Sequence, residues 1–293
     1  MSVSAAPSYP TTNTSRRTPP PSPAAGTAAT TGDPRFRPAR VASVLRIEID
    51  GGPPTTERLA AGLLANYGHF TAMQVRDRRV KGLDLHLRRL DEANRELYGT
   101  PLPGDRVRAL IGHALRDDVR DASVRVVAYG LDAPSVLVAV RPPVEPPTTP
   151  QRLMSVAYTR PLPHVKHLGG FGQIHHGALA GRAGYDDALL TSDGVVVEGA
   201  IANIAFLGDD DELVWPRGDC LHGTTMRLLE RRLPSRREVV RLADVARFRG
   251  AVLTNSIGVT AVSGIDDVDY PVDTAAVDRV LAAYDAVPAD PVE

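Results

Sequence analysis

Residues 164–172 read HVKHLGGFG, and residues 193–203 read DGVVVEGAIAN. The first stretch places one lysine, Lys166, among small and apolar residues, with a histidine close on either side. The second is an apolar run, typical of a buried strand, that ends in a single carboxylate, Glu198. Charged side chains avoid the protein interior unless they are paired. These two residues therefore mark a candidate site.

Lys166 and Glu198 together suit the binding of pyridoxal phosphate (PLP). A lysine forms a Schiff base only through its unprotonated amine, so burial or a cationic neighbour must lower its pKa. A buried carboxylate needs a cationic partner, and the protonated pyridine nitrogen of PLP would be one. Each residue taken alone is equally typical of a surface lysine or of a structural ion pair with an arginine.

Three further segments suit the binding of a phosphate group. Thr224 and Thr225 stand at the start of a predicted helix, where backbone N–H groups and hydroxyls hold anions. Residues 255–258 (NSIG) follow a predicted strand and offer a second contact. Arg89 lies one turn after His86 on another predicted helix, and an arginine fork suits a dianion. Taken singly, these features also describe a helix cap, a turn and a solvated helix face.

Composition and charge exclude several classes of function. The 293 residues carry a net charge of −1, so no basic excess indicates binding to nucleic acid or to a membrane surface. No apolar run reaches the roughly 20 residues that a membrane-spanning helix requires. The single cysteine, Cys220, excludes an internal disulfide and argues against a thiolate metal cluster. We therefore predict no metal site and a cytoplasmic location.

The chain divides into four predicted parts. Residues 1–40 are rich in Pro, Ser, Thr and Ala, which predicts a disordered tail. Residues 41–141 alternate strand and helix patterns and form a predicted small α/β domain, with one helix over residues 85–97. The proline-rich residues 142–151 are a predicted interdomain linker. Residues 152–293 form a predicted larger α/β domain that binds PLP and closes with a helix near residues 275–286.

The order and spacing of these motifs resemble the class IV aminotransferases, also called fold-type IV PLP enzymes. That family includes branched-chain aminotransferases, D-amino-acid aminotransferases and aminodeoxychorismate lyases. The resemblance runs from about Val44 to the C-terminal helix. The matching segments around Lys166 are residues 70–72 (FTA), 86–90 (HLRRL), 198–203 (EGAIAN), 221–225 (LHGTT) and 254–262 (TNSIGVTAV).

The resemblance implies two α/β domains with PLP in the cleft between them, and a homodimer whose neighbouring subunit closes part of the site. It makes Lys166 the Schiff-base lysine and Glu198 the partner of the pyridine nitrogen. The implied phosphate ligands are Arg89, Thr224, Thr225, Ser256 and Ile257. Phe70 and Thr71 are the candidates for contact with the substrate.

The sequence departs from the family pattern at several positions. Met226 stands where an arginine usually follows the threonine, and His167 and two glycines follow Lys166 where an asparagine is usual. The short loop after Tyr129 lacks the arginine and histidine that reach the substrate carboxylate in D-amino-acid aminotransferases, which argues against D-amino-acid specificity. Thr71 stands where the lyases have threonine and the other branches glutamate, which favours the lyase branch slightly.

We predict transfer of an amino group between an amino acid and a 2-oxo acid through a Schiff base on Lys166. One alternative is an elimination like that of aminodeoxychorismate lyase, which releases pyruvate. Another is a catalytically inactive binding protein with the same fold. Retention of both Lys166 and Glu198 argues against the inactive protein, because a binding protein has no physical need for either residue.

Overall fold

The computed structural model of the chain describes residues 44–209, 212–272 and 274–293. The predicted disordered tail, residues 1–40, lies outside these ranges. The helices are α1 (Thr56–Ala65), α2 (Leu83–Tyr98), α3 (Gly104–Leu115), α4 (Phe171–Arg182), α5 (Thr224–Glu230) and α6 (Thr274–Asp285), with one 3₁₀-helix (Leu242–Arg247). Within these ranges, none of the helices combines the length and the apolar character that crossing a bilayer demands.

The first half of the chain builds a four-stranded antiparallel sheet. Its strands are β1 (Arg46–Ile49), β2 (Gly68–Val75), β4 (Ala122–Tyr129) and β5 (Ser135–Arg141), in the order β1-β5-β4-β2, while β3 (Arg79–Lys81) lies outside it. Alternate residues of β4 and β5, such as Val126 and Val138, are fully buried and pack with residues of α2 and α3. The opposite face of the sheet is only half-buried and is free to line a site.

Two glycines set the length of α2. Gly82 precedes the helix and Gly99 follows it, both with the left-handed backbone that favours glycine. The helix is therefore slightly longer than the predicted 85–97. Leu83, His86 and Leu90 share the face that packs against the sheet, which brings Arg89 to the edge of that face.

The second half of the chain builds a mixed sheet. Its strands are β6 (Gln151–Ala157), β7 (Asp187–Ser192), β8 (Val195–Gly199), β9 (Asn203–Leu207), β10 (Leu213–Pro216), β11 (Ser235–Glu238), β12 (Gly250–Thr254), β13 (Val259–Ile265) and β14 (Val268–Asp269). The order is β11-β10-β9-β12-β13-β6-β7-β8, with β14 paired to β13. Adjacent residues of β9 belong to different cores, Phe206 to one and Leu207 to the other, so both faces of this sheet are covered.

The last residues return to the first half of the chain. β15 (Ala289–Pro291) pairs antiparallel with β3. Val292 is fully buried in the core beneath the four-stranded sheet. The predicted linker, residues 142–151, contains no helix or strand before β6 begins at Gln151. The division into two domains at this linker stays a prediction.

Candidate active site

The loop that carries Lys166 is fixed to the edge of the four-stranded sheet. The Phe70 N–H donates to the Lys166 carbonyl at 2.8 Å, and the Leu168 N–H donates to the Gly68 carbonyl at 2.9 Å. Gly68 permits this approach, because a Cβ atom there would lie 2.2 Å from the Ala128 carbonyl oxygen. The loop between β6 and α4 therefore continues the sheet beside β2.

The Lys166 amine lies in an apolar and cationic environment. Its Nζ is 4.9 Å from the centre of the Phe70 ring. Burial lowers the pKa of Lys166 to about 7, and the guanidinium groups of Arg89 and Arg160 add to the shift. A large fraction of this amine is thus unprotonated at neutral pH, as bond formation to a carbonyl carbon requires.

Glu198 occupies the end of β8 and is 4% exposed. One carboxylate oxygen lies 3.5 Å from Nε of Arg160, and the other accepts a hydrogen bond from the Leu221 N–H at 3.3 Å. Burial raises the pKa of Glu198, and Arg160 acts in the opposite direction. The carboxyl group is therefore a buried acceptor that has one cationic neighbour and suits a second, such as a protonated pyridine nitrogen.

Arg160 is a member of the site that the sequence reading missed. It is 5% exposed, and its guanidinium donates to the carbonyls of Pro163 and Val165, the latter at 3.2 Å. These bonds hold the turn that leads into Lys166. The available signal was the position of an arginine before the Pro161-x-Pro163 turn, only six residues ahead of Lys166.

Phe70 and Thr71 point in opposite directions, because successive residues of a strand face opposite sides of the sheet. Phe70 lies on the half-buried face with Lys166. Thr71 is fully buried beneath the sheet, where its Oγ1 accepts a hydrogen bond from Nη2 of Arg89 and lies 2.7 Å from Nδ1 of His86. Of the two substrate candidates, Phe70 contacts the lysine amine, and the Thr71 hydroxyl contacts Arg89 and His86.

Arg125 was also missed by the sequence reading. It lies on β4, on the same half-buried face as Phe70, and its guanidinium carbon is 4.0 Å from the centre of the Phe70 ring. Its Nε is buried and has no hydrogen-bond partner among the described residues, and burial lowers its pKa, with a contribution from Arg141. Alternation along β4 was the signal, because Arg125 interrupts an otherwise apolar strand between Val124 and Val126.

The segment before α5 is held by Asn203. Its amide donates to the Leu221 carbonyl at 2.6 Å and accepts from the Gly223 N–H at 3.2 Å. A Cβ atom at position 223 would lie 2.3 Å from the Asn203 oxygen, so this position requires glycine. Asn203 thereby fixes the start of α5, the helix that carries Thr224 and Thr225. The first N–H groups of a helix have no acceptor within the helix.

The second predicted phosphate segment lies against the first. The Thr225 hydroxyl donates to the Asn255 carbonyl at 2.6 Å, which joins the start of α5 to the turn after β12. In this turn the Ile257 N–H donates to the side-chain oxygen of Asn255 at 2.8 Å. Thr225, Ser256 and Ile257 are thus brought together, and Ile257 would have to exchange its present acceptor to bind a phosphate through its N–H.

Arg89 is the predicted phosphate ligand on α2. Its Nε is buried and, within the part of the chain that the structure describes, has no hydrogen-bond partner. Burial lowers its pKa to about 10, with contributions from Arg227 and Arg160. Guanidinium groups whose positive charges repel one another in this way are stabilised by a bound anion. The three groups therefore fit PLP. The buried Nε of Arg89 suits the phosphate, the partly unprotonated amine of Lys166 suits the aldehyde, and the buried carboxyl group of Glu198 suits the pyridine nitrogen.

Comparisons with known proteins identify the family and the fold. A family model described as Amino-transferase class IV matches residues 68–265. The fold is similar to that of a hypothetical aminotransferase from Mycobacterium tuberculosis in its PLP-bound form (TM-score 0.70, 20% identity, 82% of this chain and 98% of that chain). A comparison with curated protein sequences finds no match.

Two further solved structures represent different reactions. One is a branched-chain amino acid aminotransferase from T.th., complexed with N-(5'-phosphopyridoxyl)-L-glutamate (TM-score 0.75, 19% identity, 86% of this chain and 100% of that chain). The other, from Legionella pneumophila, is provisionally assigned as a 4-amino-4-deoxychorismate lyase (TM-score 0.70, 20% identity, 78% and 94%). The family match covers more than half of the sequence, and the chain therefore belongs to the class IV aminotransferase family, an α/β fold of type IV whose cofactor is PLP.

Proposed function

We propose that this protein is a transaminase that moves an amino group between an amino acid and a 2-oxo acid. The observation that carries the proposal is the amine of Lys166, whose pKa burial lowers to about 7 and which interacts electrostatically with the buried carboxyl group of Glu198. When bound, PLP supplies an electron sink that stabilises negative charge at the substrate Cα.

Lys166 has two tasks in this proposal. Its Nζ would hold the cofactor in the resting protein. When Nζ is free, it would accept the proton from the substrate Cα as a general base and would then carry that proton as a general acid. Both tasks need an unprotonated amine near neutral pH, which burial of Lys166 and the cations Arg89 and Arg160 favour.

Glu198 and Arg160 keep the other end of the cofactor in place. The Glu198 carboxylate would accept a hydrogen bond from the protonated pyridine nitrogen, and the Leu221 N–H and Arg160 hold the carboxylate in place for that bond. Arg89, Thr224, Thr225, Ser256 and Ile257 are the proposed phosphate ligands. Their convergence from α2, from the start of α5 and from the turn after β12 supports this assignment.

Arg125 is the proposed partner of the substrate carboxylate. It contacts the same Phe70 ring as the Lys166 amine, and its unpaired Nε faces the half-buried side of the sheet. An amino acid bound at Lys166 carries its carboxylate next to the reacting Cα. A guanidinium there would neutralise that charge and orient the substrate through paired hydrogen bonds.

Elimination with release of pyruvate is the second candidate. The similarity to the structure assigned as a 4-amino-4-deoxychorismate lyase supports it, as does threonine at position 71. The same lysine and glutamate would serve, because both reactions begin by removal of the Cα proton. The reactions differ in their products, since transfer consumes a 2-oxo acid and elimination does not.

The test is a panel of L- and D-amino acids and aminodeoxychorismate, each supplied with and without 2-oxoglutarate. We expect a new amino acid to form from 2-oxoglutarate with at least one donor, and Arg125→Met to raise KM for donors while the cofactor stays bound. Release of pyruvate from aminodeoxychorismate without a 2-oxo acid, and no transfer from any donor, would replace transfer by elimination.

We further propose that the protein is a homodimer. The surface beside the Lys166 loop carries apolar side chains that are well exposed, notably Phe171 at 79% and Ile174 at 70% on α4. Large exposed apolar groups next to a site are typical of an interface. Light scattering tests this proposal: we expect twice the chain mass, and a monomer for the Ile174→Asp variant. A monomeric wild-type protein would refute it.

A further inference from the structure

Arg89 is held by a hydrogen bond from beneath the sheet. Its Nη2 donates to Oγ1 of Thr71, and the same oxygen lies 2.7 Å from Nδ1 of His86. Thr71 is fully buried and His86 is 3% exposed. Among the residues that the structure describes, Arg89 has no carboxylate within ion-pair distance, so Thr71 is its principal anchor.

The direction of the hydrogen bonds follows from what each group can donate. A guanidinium only donates, so the Thr71 oxygen accepts from Arg89 and its hydroxyl hydrogen remains for His86. His86 Nδ1 then accepts, which assigns its ring to the neutral form with the proton on Nε2. Burial, Arg89 and Lys166 all lower the pKa of His86 well below its ordinary value, in agreement with a neutral ring.

Arg89 needs such an anchor because its neighbours repel it. Arg227 and Arg160 both lower its pKa, which means that they oppose its positive charge. Arg227 lies across a cavity of about 110 Å³ from Arg89, between α2 and α5. In the absence of an anion, repulsion and the long side chain would favour rotation of Arg89 toward solvent.

We propose that Thr71 and His86 are positioning residues that hold Arg89 ready for the cofactor phosphate. The inference rests on the proposed role of Arg89 as phosphate ligand and goes beyond it, because it gives the threonine at position 71 a task that is not contact with substrate. A preformed arginine loses less conformational freedom when the phosphate binds. Thr71 therefore contributes to affinity for the phosphate without touching it.

The experiment compares PLP with pyridoxal, which lacks the phosphate. Dissociation constants for both come from absorption titrations. The ratio of the pyridoxal constant to the PLP constant isolates the phosphate contribution, and a lower ratio means a weaker phosphate contribution. We expect Thr71→Val, which keeps the shape and removes the hydroxyl, to weaken PLP binding about tenfold or more, the size typical of a hydrogen bond to a charged group. Binding of pyridoxal should stay nearly unchanged. Thr71→Ser should restore the wild-type ratio.

Three further variants test the role of His86 and provide a control. His86→Leu should lower the ratio, whereas His86→Asn, whose amide oxygen replaces Nδ1 as acceptor, should preserve it. Thr191→Val is the matched control, because Thr191 is also a buried strand threonine, and its hydroxyl bonds a backbone carbonyl instead of an arginine. It should leave both constants unchanged.

Two outcomes would overturn the inference in distinguishable ways. If Arg89→Met lowers the ratio but Thr71→Val weakens PLP and pyridoxal equally, or weakens neither, then the anchor is wrong and the phosphate role of Arg89 stands. If Arg89→Met itself leaves the ratio unchanged, then Arg89 is not a phosphate ligand, and the positioning role of Thr71 and His86 is also wrong. Attachment of pyridoxal to Lys166 reports independently on the lysine, so neither outcome is confused with loss of the site.

Discussion

At the scale of single residues, the chemistry depends on the neighbours of Lys166. An ordinary lysine is almost fully protonated at neutral pH. Burial of the Lys166 amine, together with the positive charges of Arg89 and Arg160, disfavours the protonated form. Glu198 acts in the opposite direction and leaves the pKa at about 7. The amine is thereby kept reactive while the carboxylate stays available to the cofactor.

This pKa predicts how the attachment of PLP depends on pH. The lowered value means that the reactive form is lost only below about pH 7, so the rate should fall by about tenfold per pH unit there and level off above about pH 8. Stopped-flow absorption at the visible cofactor band measures the rate. The reaction of PLP with N-acetyl-lysine in solution controls for the cofactor's own ionisations. A midpoint near that of an ordinary lysine would contradict the account.

At the scale of elements, the long periodic segments were predictable and the short pairings were not. The helix predicted over residues 85–97 is α2 (Leu83–Tyr98), because its apolar face repeats over four turns. The strand that ends in Glu198 is β8, as its apolar run predicts. By contrast, the contacts that the strands make with other elements were not predictable: Phe70 of β2 lies beside Lys166, and Thr71 accepts a hydrogen bond from Arg89. The role of both residues in substrate contact stays a prediction.

Arg160 and Arg125 were missed for a related physical reason. The local signals, a proline turn after Arg160 and an interrupted apolar strand at Arg125, mark unusual positions but do not identify partners. Arg160 pairs with Glu198, and Arg125 lies over Phe70 from the neighbouring strand. Sequence spacing reports neighbours along one element, so these two contacts are visible only in the folded chain.

The C-terminal strand β15 is an element that the sequence pattern does not predict. Two prolines in residues 288–293 argue against a strand, but Pro291 stands in an edge pairing that needs few donors. The Val292 N–H donates to the Arg78 carbonyl at 3.0 Å, and the Val292 side chain is fully buried with the core of the first sheet. The end of the chain thus closes the core formed by its first half.

Val292→Ala tests the contribution of this strand. Loss of two buried methyl groups should lower the free energy of unfolding by about 2 kcal/mol, from lost burial plus the cavity that remains. Urea denaturation followed by circular dichroism measures the change. Val239→Ala is the matched control, since Val239 is 49% exposed and its truncation should have an effect below about 0.5 kcal/mol. Equal effects of the two substitutions would refute the docking of Val292.

At the scale of the whole molecule, the site draws on both sheets. Lys166 lies on a loop from the second sheet whose backbone is bonded to β2 of the first, while Glu198 and the start of α5 belong to the second. Arg89 and Arg125 come from the first half of the chain. The resemblance of motifs along the chain predicted this assembly, and the family match over residues 68–265 agrees with it. The proposed reaction depends on residues distributed in this way.

The covalent site of the cofactor tests the central claim most directly. Purified protein would be loaded with PLP, reduced with borohydride, digested and mapped by mass spectrometry, with Lys166→Ala and Lys81→Ala treated in parallel. Lys81 serves as the control because its Nζ already donates to the Tyr284 carbonyl at 3.0 Å. We predict a visible absorption band and a single phosphopyridoxyl adduct on Lys166, both lost in Lys166→Ala and both kept in Lys81→Ala. An adduct on another lysine, or no band after loading, would contradict the account.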